Sequence, residues 1–334
     1  MSSIMTNASA MTALKTLSAT NKALQTTQNR ISTGYRVAEA SDNAAYWSIA
    51  TTMRSDNKAL STVKDALGLG AAKVDTAYTG INAAIDVVDE IKARLVAARE
   101  SGVDRSKIQA EITQLQGQLI GNAASTSFTG ENWLSVDSSA AGYSATKTIV
   151  SSFTRSASGA VSIGTISIDI SSVKLFDAGT NTAAGAGVGI LDAKYTSAAI
   201  VGPPAFAAGD RITDQTAAGA TIFTVTTLNI SALTSSTADL DTLDAYIKGV
   251  DNALSRMTTA ASDLGAAKKR VSLQQDFVNS MMDAIDRGVG QLVDADMNKE
   301  STRLQALQVQ QQLGIQSLTI ANGNPQSILS LFRS

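Results

Sequence analysis

Apolar residues recur at every seventh position along two long stretches of this chain, one read in from each end. The first runs Met53, Leu60, Leu67, Val74, Ile81, Val88 and Leu95, with Val63, Ala77, Ala84, Ile91 and Ala98 three residues further on. The second runs Leu243, Val250, Met257, Leu264, Val271, Val278, Ile285 and Leu292, with Ile247, Leu254, Ala261, Met282 and Val289 four residues later. Such a repeat is the mark of a coiled-coil seam, and as unbroken helices at 1.5 Å per residue the two stripes would measure about 64 and 75 Å. A helix that is apolar on one side only needs a partner, and the two matched stripes supply each other's. The expected fold is therefore mainly α, a long antiparallel coiled-coil rod formed by the two halves of the chain.

The rest of the pattern fits around that rod. Gly68, Gly70 and Gly80 interrupt the first arm and mark bends or close approaches. A break is expected at Ser101-Gly102-Val103-Asp104, followed by a short helix carrying Ile108, Ile112, Leu115 and Leu119, capped by Asp104 or Ser106. Phe128-Thr129-Gly130-Glu131-Asn132 reads as a turn, and about a hundred residues rich in Ser, Thr, Gly and Ala follow. There Lys147 to Phe153 predicts a strand, while Val161 and Ile163 alternate in one phase and Ile166, Ile168 and Ile170 in the other. A β-bulge at Gly164-Thr165 would bring both sets to one buried face. Ala220 to Ile230 is a further β-branched stretch, whereas Ala183 to Gly189 and Gly202-Pro203-Pro204 predict loops. This gives a β-hairpin and a small β-rich central insert.

The extremities differ from the arms. No acid precedes Glu39 and none follows Glu300, while Lys15, Lys22, Arg30 and Arg36 lie near the front. Leu17, Leu24 and Ile31 keep a heptad there, and Ala306, Leu313 and Ile320 keep one at the back, on backgrounds of Thr, Asn and Gln. Helices so weakly amphipathic are poor candidates for folding alone and good ones for ordering in an assembly. Two other readings remain open at this level: a frayed tail, or a membrane-surface helix, although the latter favours a basic face opposite Trp, Phe or Leu.

Composition narrows the chemistry. The chain has 334 residues, no cysteine and no histidine, which excludes disulfides, thiol nucleophiles, zinc motifs and His-based triads. No paired-acid constellation stands in a catalytic setting, so the expectation is no enzyme and no cofactor. A net charge of −2 without a dense Lys/Arg run argues against a nucleic-acid partner. No run of about 18 apolar residues is available for membrane insertion. Residues Met1 to Asn7 carry neither the basic nor the apolar region of a secretory signal, so the expectation is a cytosolic protein or one exported by another route.

Specific motifs then bear on identity. Asn29-Arg30-Ile31-Ser32-Thr33-Gly34-Tyr35-Arg36-Val37, with Ala40-Ser41-Asp42-Asn43-Ala44-Ala45 after it, resembles the N-terminal signature of bacterial flagellins. Ile108-Gln109-Ala110-Glu111-Ile112-Thr113-Gln114 resembles a second family segment, and Ala321-Asn322-Gly323-Asn324-Pro325-Gln326-Ser327-Ile328-Leu329-Ser330-Leu331-Phe332-Arg333 resembles the family's ending. The resemblance covers about residues 1–132 and 240–334. After the paired alanines, Tyr46-Trp47-Ser48 departs from many flagellins in a way that resembles those of soil-dwelling alphaproteobacteria.

The resemblance implies a structural subunit that polymerises into the extracellular flagellar filament for swimming, its two ends paired around a narrow channel. Three domains are expected: residues 1–38 with 298–334 as the inner helical domain, 39–133 with 240–297 as the helical rod, and 134–239 as the variable β-rich outer domain. Leu17, Leu24, Ile31, Leu313, Ile320 and Leu331 are the expected polymerisation interface. The partners implied are the chain itself, possible sister flagellins in a mixed filament, the flagellar export apparatus and its chaperone, and the cap and hook-junction proteins. The alternatives are a hook–filament junction protein of the same superfamily, a membrane-active amphipathic protein, and an enzyme-bearing flagellin, whose usual zinc site the missing histidine removes.

Overall fold

The computed structural model describes residues 7–179, 189–193, 195–196 and 222–331, without the side chains of 195–196, 222 and 324–331. Five helices dominate: α1 (Ala8–Thr33), α2 (Ala44–Ala97), α3 (Arg105–Ser125), α4 (Thr237–Val293) and α5 (Met297–Leu331). Between α3 and α4 lie the strands β1 (Ser127–Phe128), β2 (Glu131–Asn132), β3 (Ser135–Val136), β4 (Thr146–Arg155), β5 (Val161–Asp169), β6 (Phe176–Asp177), β7 (Tyr195–Thr196) and β8 (Ile222–Phe223). The fold is mainly helical with a small strand-containing central region. The chain forms two compact units, one of residues 1–59 with 280–334 and one of residues 60–279.

In the larger unit the heptads become a core. Leu67, Val74, Ile81, Val88, Ile91 and Leu95 of α2 are fully buried, as are Val250, Met257, Leu264 and Val271 of α4. Each such side chain contributes roughly 1.5–3 kcal/mol before entropy is counted. Ion pairs fix the antiparallel sense, since Lys268–Asp75 at 2.7 Å, Lys92–Asp251, and Arg99–Asp244 at 3.0 Å climb α2 and the turn just past its end as they descend α4. On α4 the deepest companions of the heptad stand three residues after it, at Tyr246, Ala253 and Ala260. Of the expected positions four residues later, Ala261 and Val289 are buried, while Ile247, Leu254 and Met282 are half-buried.

The predicted break and its cap are present: α2 ends at Ala97, and Asp104 caps α3 by accepting from Ser106 N at 3.1 Å. The buried face of α3, however, is turned by one residue from the expected one. Arg105, Gln109, Ile112, Gln116 and Leu119 are buried, while Ile108 and Leu115 are only half-buried. The polar members serve an irregular segment far away in sequence. Gln116 Nε2 donates to Val225 O (3.0 Å) and Leu228 O (3.2 Å), Gln109 Oε1 accepts from Ile230 N (2.8 Å), and Arg105 Nη1 donates to Leu233 O (3.3 Å). Buried backbone groups without ladder partners thus find side-chain ones. Of the described part of the β-branched stretch over 220–230, Ile222–Phe223 form a strand and residues 224–230 do not.

Strands β1 and β2 form a hairpin whose turn residues, Thr129 (φ 52°) and Gly130 (φ 80°), both take the left-handed conformation that a two-residue type I′ turn needs. The longer hairpin β4–β5 is antiparallel, and its register slips between Val150 and Ser152 opposite Thr165 and Gly164. The irregularity therefore adds Ser151 to β4 rather than a residue to β5, and the phase switch in β5 stays: Ile166 and Ile168 are buried while Val161 and Ile163 remain exposed. This corrects the expectation of a single buried face. The loops expected over 183–188 and at Gly202-Pro203-Pro204 lie outside the described residues.

Two helix glycines are explained by close approach. A Cβ on Gly70 would meet Ile149 Cδ1 at 2.8 Å, and one on Gly80 would meet Leu134 Cδ1 at 2.8 Å with Thr126 closer still, whereas Gly68 faces open space. Beneath the hairpins, Glu131 pairs with Lys73 of α2 at 2.6 Å and Lys147 of β4 at 2.8 Å. Lys174 and Asp177 form an almost wholly buried pair at 2.6 Å.

Candidate assembly surface

The smaller unit joins the two chain ends. Asn7 caps α1 by accepting from Ala10 N (3.1 Å) and donates through Nδ2 to Ala321 O of α5 (2.8 Å). Proceeding along α1, Leu17 packs over Gly314, where an added Cβ would lie 3.1 Å from Leu17 Cδ1, Asn21 accepts from Gln311 (2.8 Å), and Arg30 pairs with Glu300 (3.3 Å). The order is antiparallel throughout. Gly34, at φ 77°, ends α1 with its N–H on Arg30 O, and Tyr35 then bridges Asp294. A small core of Val37, Ala50, Val289 and Val293, packed by Met53, Ile285 and Leu292, closes the unit.

The seam of this helix pair is modest. On α5 it uses Glu300, Leu304, Leu307, Gln311, Gly314, Leu318 and Ala321, of which only Glu300, Leu307 and Ala321 are buried. At 3.6 residues per turn, Val309, Leu313 and Ile320 fall together on the opposite side, about 160° away. They are indeed open, Leu313 at 57% and Ile320 at 69% exposure. On α1, Met11 (67%) and Leu14 (59%) are equally open, Met11 about 120° round the helix from Leu17 and Leu14 about 60° from it, at the edge of the seam. The pair therefore carries an apolar stripe on its outside, with Lys15, Lys22 and Arg303 as the nearest charges and no acid beyond Glu300.

The six expected interface residues separate into groups. Leu17 lies against Gly314 inside the pair, and Leu24 and Ile31, half-buried, follow it at heptad spacing on the same face. Leu313 and Ile320 face out. Leu331 ends α5, and its side chain lies outside the described residues. Met11, Leu14 and Val309 were not singled out from the sequence, because isolated apolar residues in Thr- and Gln-rich helices do not reveal which face is covered until the seam is known. Among the described residues no group of three or more acids is placed to hold a metal ion, and no helix is long and apolar enough to cross a membrane.

Comparison with known proteins accords with this arrangement. The family model for the bacterial flagellin N-terminal helical region matches residues 4–139, and that for the C-terminal helical region matches residues 247–332. Flagellin C of Rhizobium meliloti (strain 1021) is 52% identical over 333 residues, covering all of both chains. Flagellin A of the same strain is 47% identical over 402 residues, and a flagellin of Brucella melitensis biotype 1 is 44% identical over 334, again with full coverage of both chains. These matches do not favour the junction-protein or membrane-active readings. The chain belongs to the bacterial flagellin family, of the alphaproteobacterial kind, and is a structural subunit that polymerises into the extracellular flagellar filament.

Proposed function

We propose that the paired ends, residues 1–38 with 298–334, form the inner layer of the filament, that 39–133 with 240–297 form the surrounding helical layer, and that 134–239 face the solvent. The observation that carries this reading is the outward stripe of Val309, Leu313 and Ile320 on a helix whose opposite face is already used against α1. Apolar side chains left open on such a narrow helix pair gain cover only from other copies. Leu313 and Ile320, with Met11 and Leu14, make the contacts between copies. Leu17, Leu24 and Ile31 hold the two ends of one copy together, and Leu331 extends the contact surface. A contact between unlike faces, repeated by rotation and rise, gives an open helical polymer.

The role is mechanical, with no bond made or broken. The chain copolymerises with sister flagellins, passes through the flagellar export apparatus with a chaperone, and meets hook-junction and cap proteins at the filament's two ends. Seeded polymerisation followed by sedimentation and electron microscopy tests the layered reading, comparing the full chain with one lacking about the first and last 35 residues. Long tubes from the full chain alone are expected. Equal tubes from the shortened chain would remove the ends from the inner layer.

A further inference from the structure

The first turns of α2 expose an apolar cluster that the terminal stripe does not include. Every residue from 44 to 49 is exposed, and three of them are large: Tyr46 (42%), Trp47 (39%) and Ile49 (49%). Ala50 and Met53 pack into the small core beside Val289 and Val293, so the helix is anchored one turn further on. By helical spacing Tyr46 continues the face that buries Ala50 and Met53, and Trp47 and Ile49 flank it on either side. The core stripe thus runs out into the open, with none of the unit's described residues burying its end.

The cluster is held rigidly. Asn43 Oδ1 caps α2 by accepting from Tyr46 N (3.2 Å), Asp42 Oδ2 accepts from Ala38 N (3.0 Å) and Glu39 N (3.2 Å), and Arg36 N donates to Val293 O (2.6 Å). Tyr35, also exposed, lies under the Arg54 guanidinium, 4.8 Å from its ring centroid. Aromatic side chains on a fixed backbone, with few torsions to order, are the ones that anchor protein interfaces. The charges nearby do not suit an anionic bilayer: Glu39 and Asp42 are acids, no lysine stands between Lys22 and Lys58, and Arg36 and Arg54 are engaged on Leu292 O (2.9 Å) and Tyr35.

We propose that Tyr46, Trp47 and Ile49 form a docking patch for a second copy of this chain, and that the contact sets this subunit in its filament. It rests on the filament reading, which supplies copies at close quarters. A patch meeting its own image would close a dimer and stop growth, so Trp47 seats on a different face of its neighbour.

Trp47 is its own reporter, because the only other tryptophan, Trp133, is 3% exposed. Trp133 Nε1 has no hydrogen-bond partner among the described residues, so Trp133→Phe removes none of the described bonds and leaves a full chain with one signal. Acrylamide quenching is measured on this variant as monomer and as seeded filament, and the wild type is compared with Trp47→Phe in case the first variant folds poorly. Quenching of Trp47 should fall several-fold on polymerisation with a blue-shifted emission, and Trp47→Ala should raise the critical concentration roughly tenfold or more while leaving the monomer's circular dichroism unchanged. Filaments in which Trp47 is as quenchable as in the monomer would overturn the patch and leave the filament reading standing. A wild-type chain that forms no filaments would overturn both.

Discussion

Arg30 of α1 reaches Glu300 of α5 at 3.3 Å, joining the two ends of the chain through the last acid in the sequence. Glu300 is buried, its Oε2 has no partner among the described residues, and Arg30 is about a quarter exposed. Within a modest seam of half-buried Leu and Ile with Gly and Gln, this is the ion pair that fixes the register of α1 on α5. Arg30→Ala should strand a buried carboxylate and loosen the terminal helices by about 2–3 kcal/mol, while Arg30→Ala with Glu300→Leu should recover much of that loss. Hydrogen exchange on residues 8–33 in the monomer reads the difference directly. Equal protection in the wild type and Arg30→Ala would remove the pair from this role.

The helix glycines make opposite predictions. Gly80→Ala should destabilise the larger unit by about 1–3 kcal/mol, since its Cβ collides with Leu134 and Thr126. Gly68→Ala, with open space around it, should stabilise by roughly 0.5–1 kcal/mol through helix propensity. Urea unfolding of the two variants beside the wild type checks both signs.

Acid should act on the larger unit through Glu131. Burial pushes its carboxyl up, but hydrogen bonds and charge from Lys147 and Lys73 outweigh burial and bring it to about 2, from an ordinary 4.5. A carboxyl depressed by folding contributes stability that is complete above its unfolded value and is lost as pH falls through the folded one. Wild type should therefore exceed Glu131→Gln in melting temperature at neutral pH, and the gap should shrink between about pH 4.5 and 2. A gap that stays constant across that range would assign the stabilisation to packing rather than charge.

Much of this was legible because it is periodic and local. Leu67 to Leu95 and Leu243 to Val278 announce their seam every seven residues, and Asp104 announces the start of α3 beside it in the sequence. What escaped depends on partners far along the chain. Gln109 and Gln116 look like surface residues of α3 until Ile230 N and the carbonyls of Val225 and Leu228 are placed beside them. Ser151 gives no sign that it is the extra residue of β4, because a bulge belongs to a pair of strands and either can carry it. The terminal pair was misleading in another way: α5 is apolar on two faces, so Ala306, Leu313 and Ile320 read as a heptad seam although the covered one runs through Leu307, Gly314 and Ala321. The second face is the part of the pattern that packing within one copy does not use.

The outward stripe is tested most directly by Leu313→Asp in the full chain, followed by seeded sedimentation and electron microscopy beside the wild type. Leu313 is 57% exposed in the single chain, so the charge costs the monomer little, and its circular dichroism and melting should be unchanged. In the polymer the same carboxylate would be taken out of water with no partner, so pelletable filament should fall at least about tenfold at wild-type concentration. Normal filaments from a folded Leu313→Asp chain would contradict the assignment of this face to contact between copies.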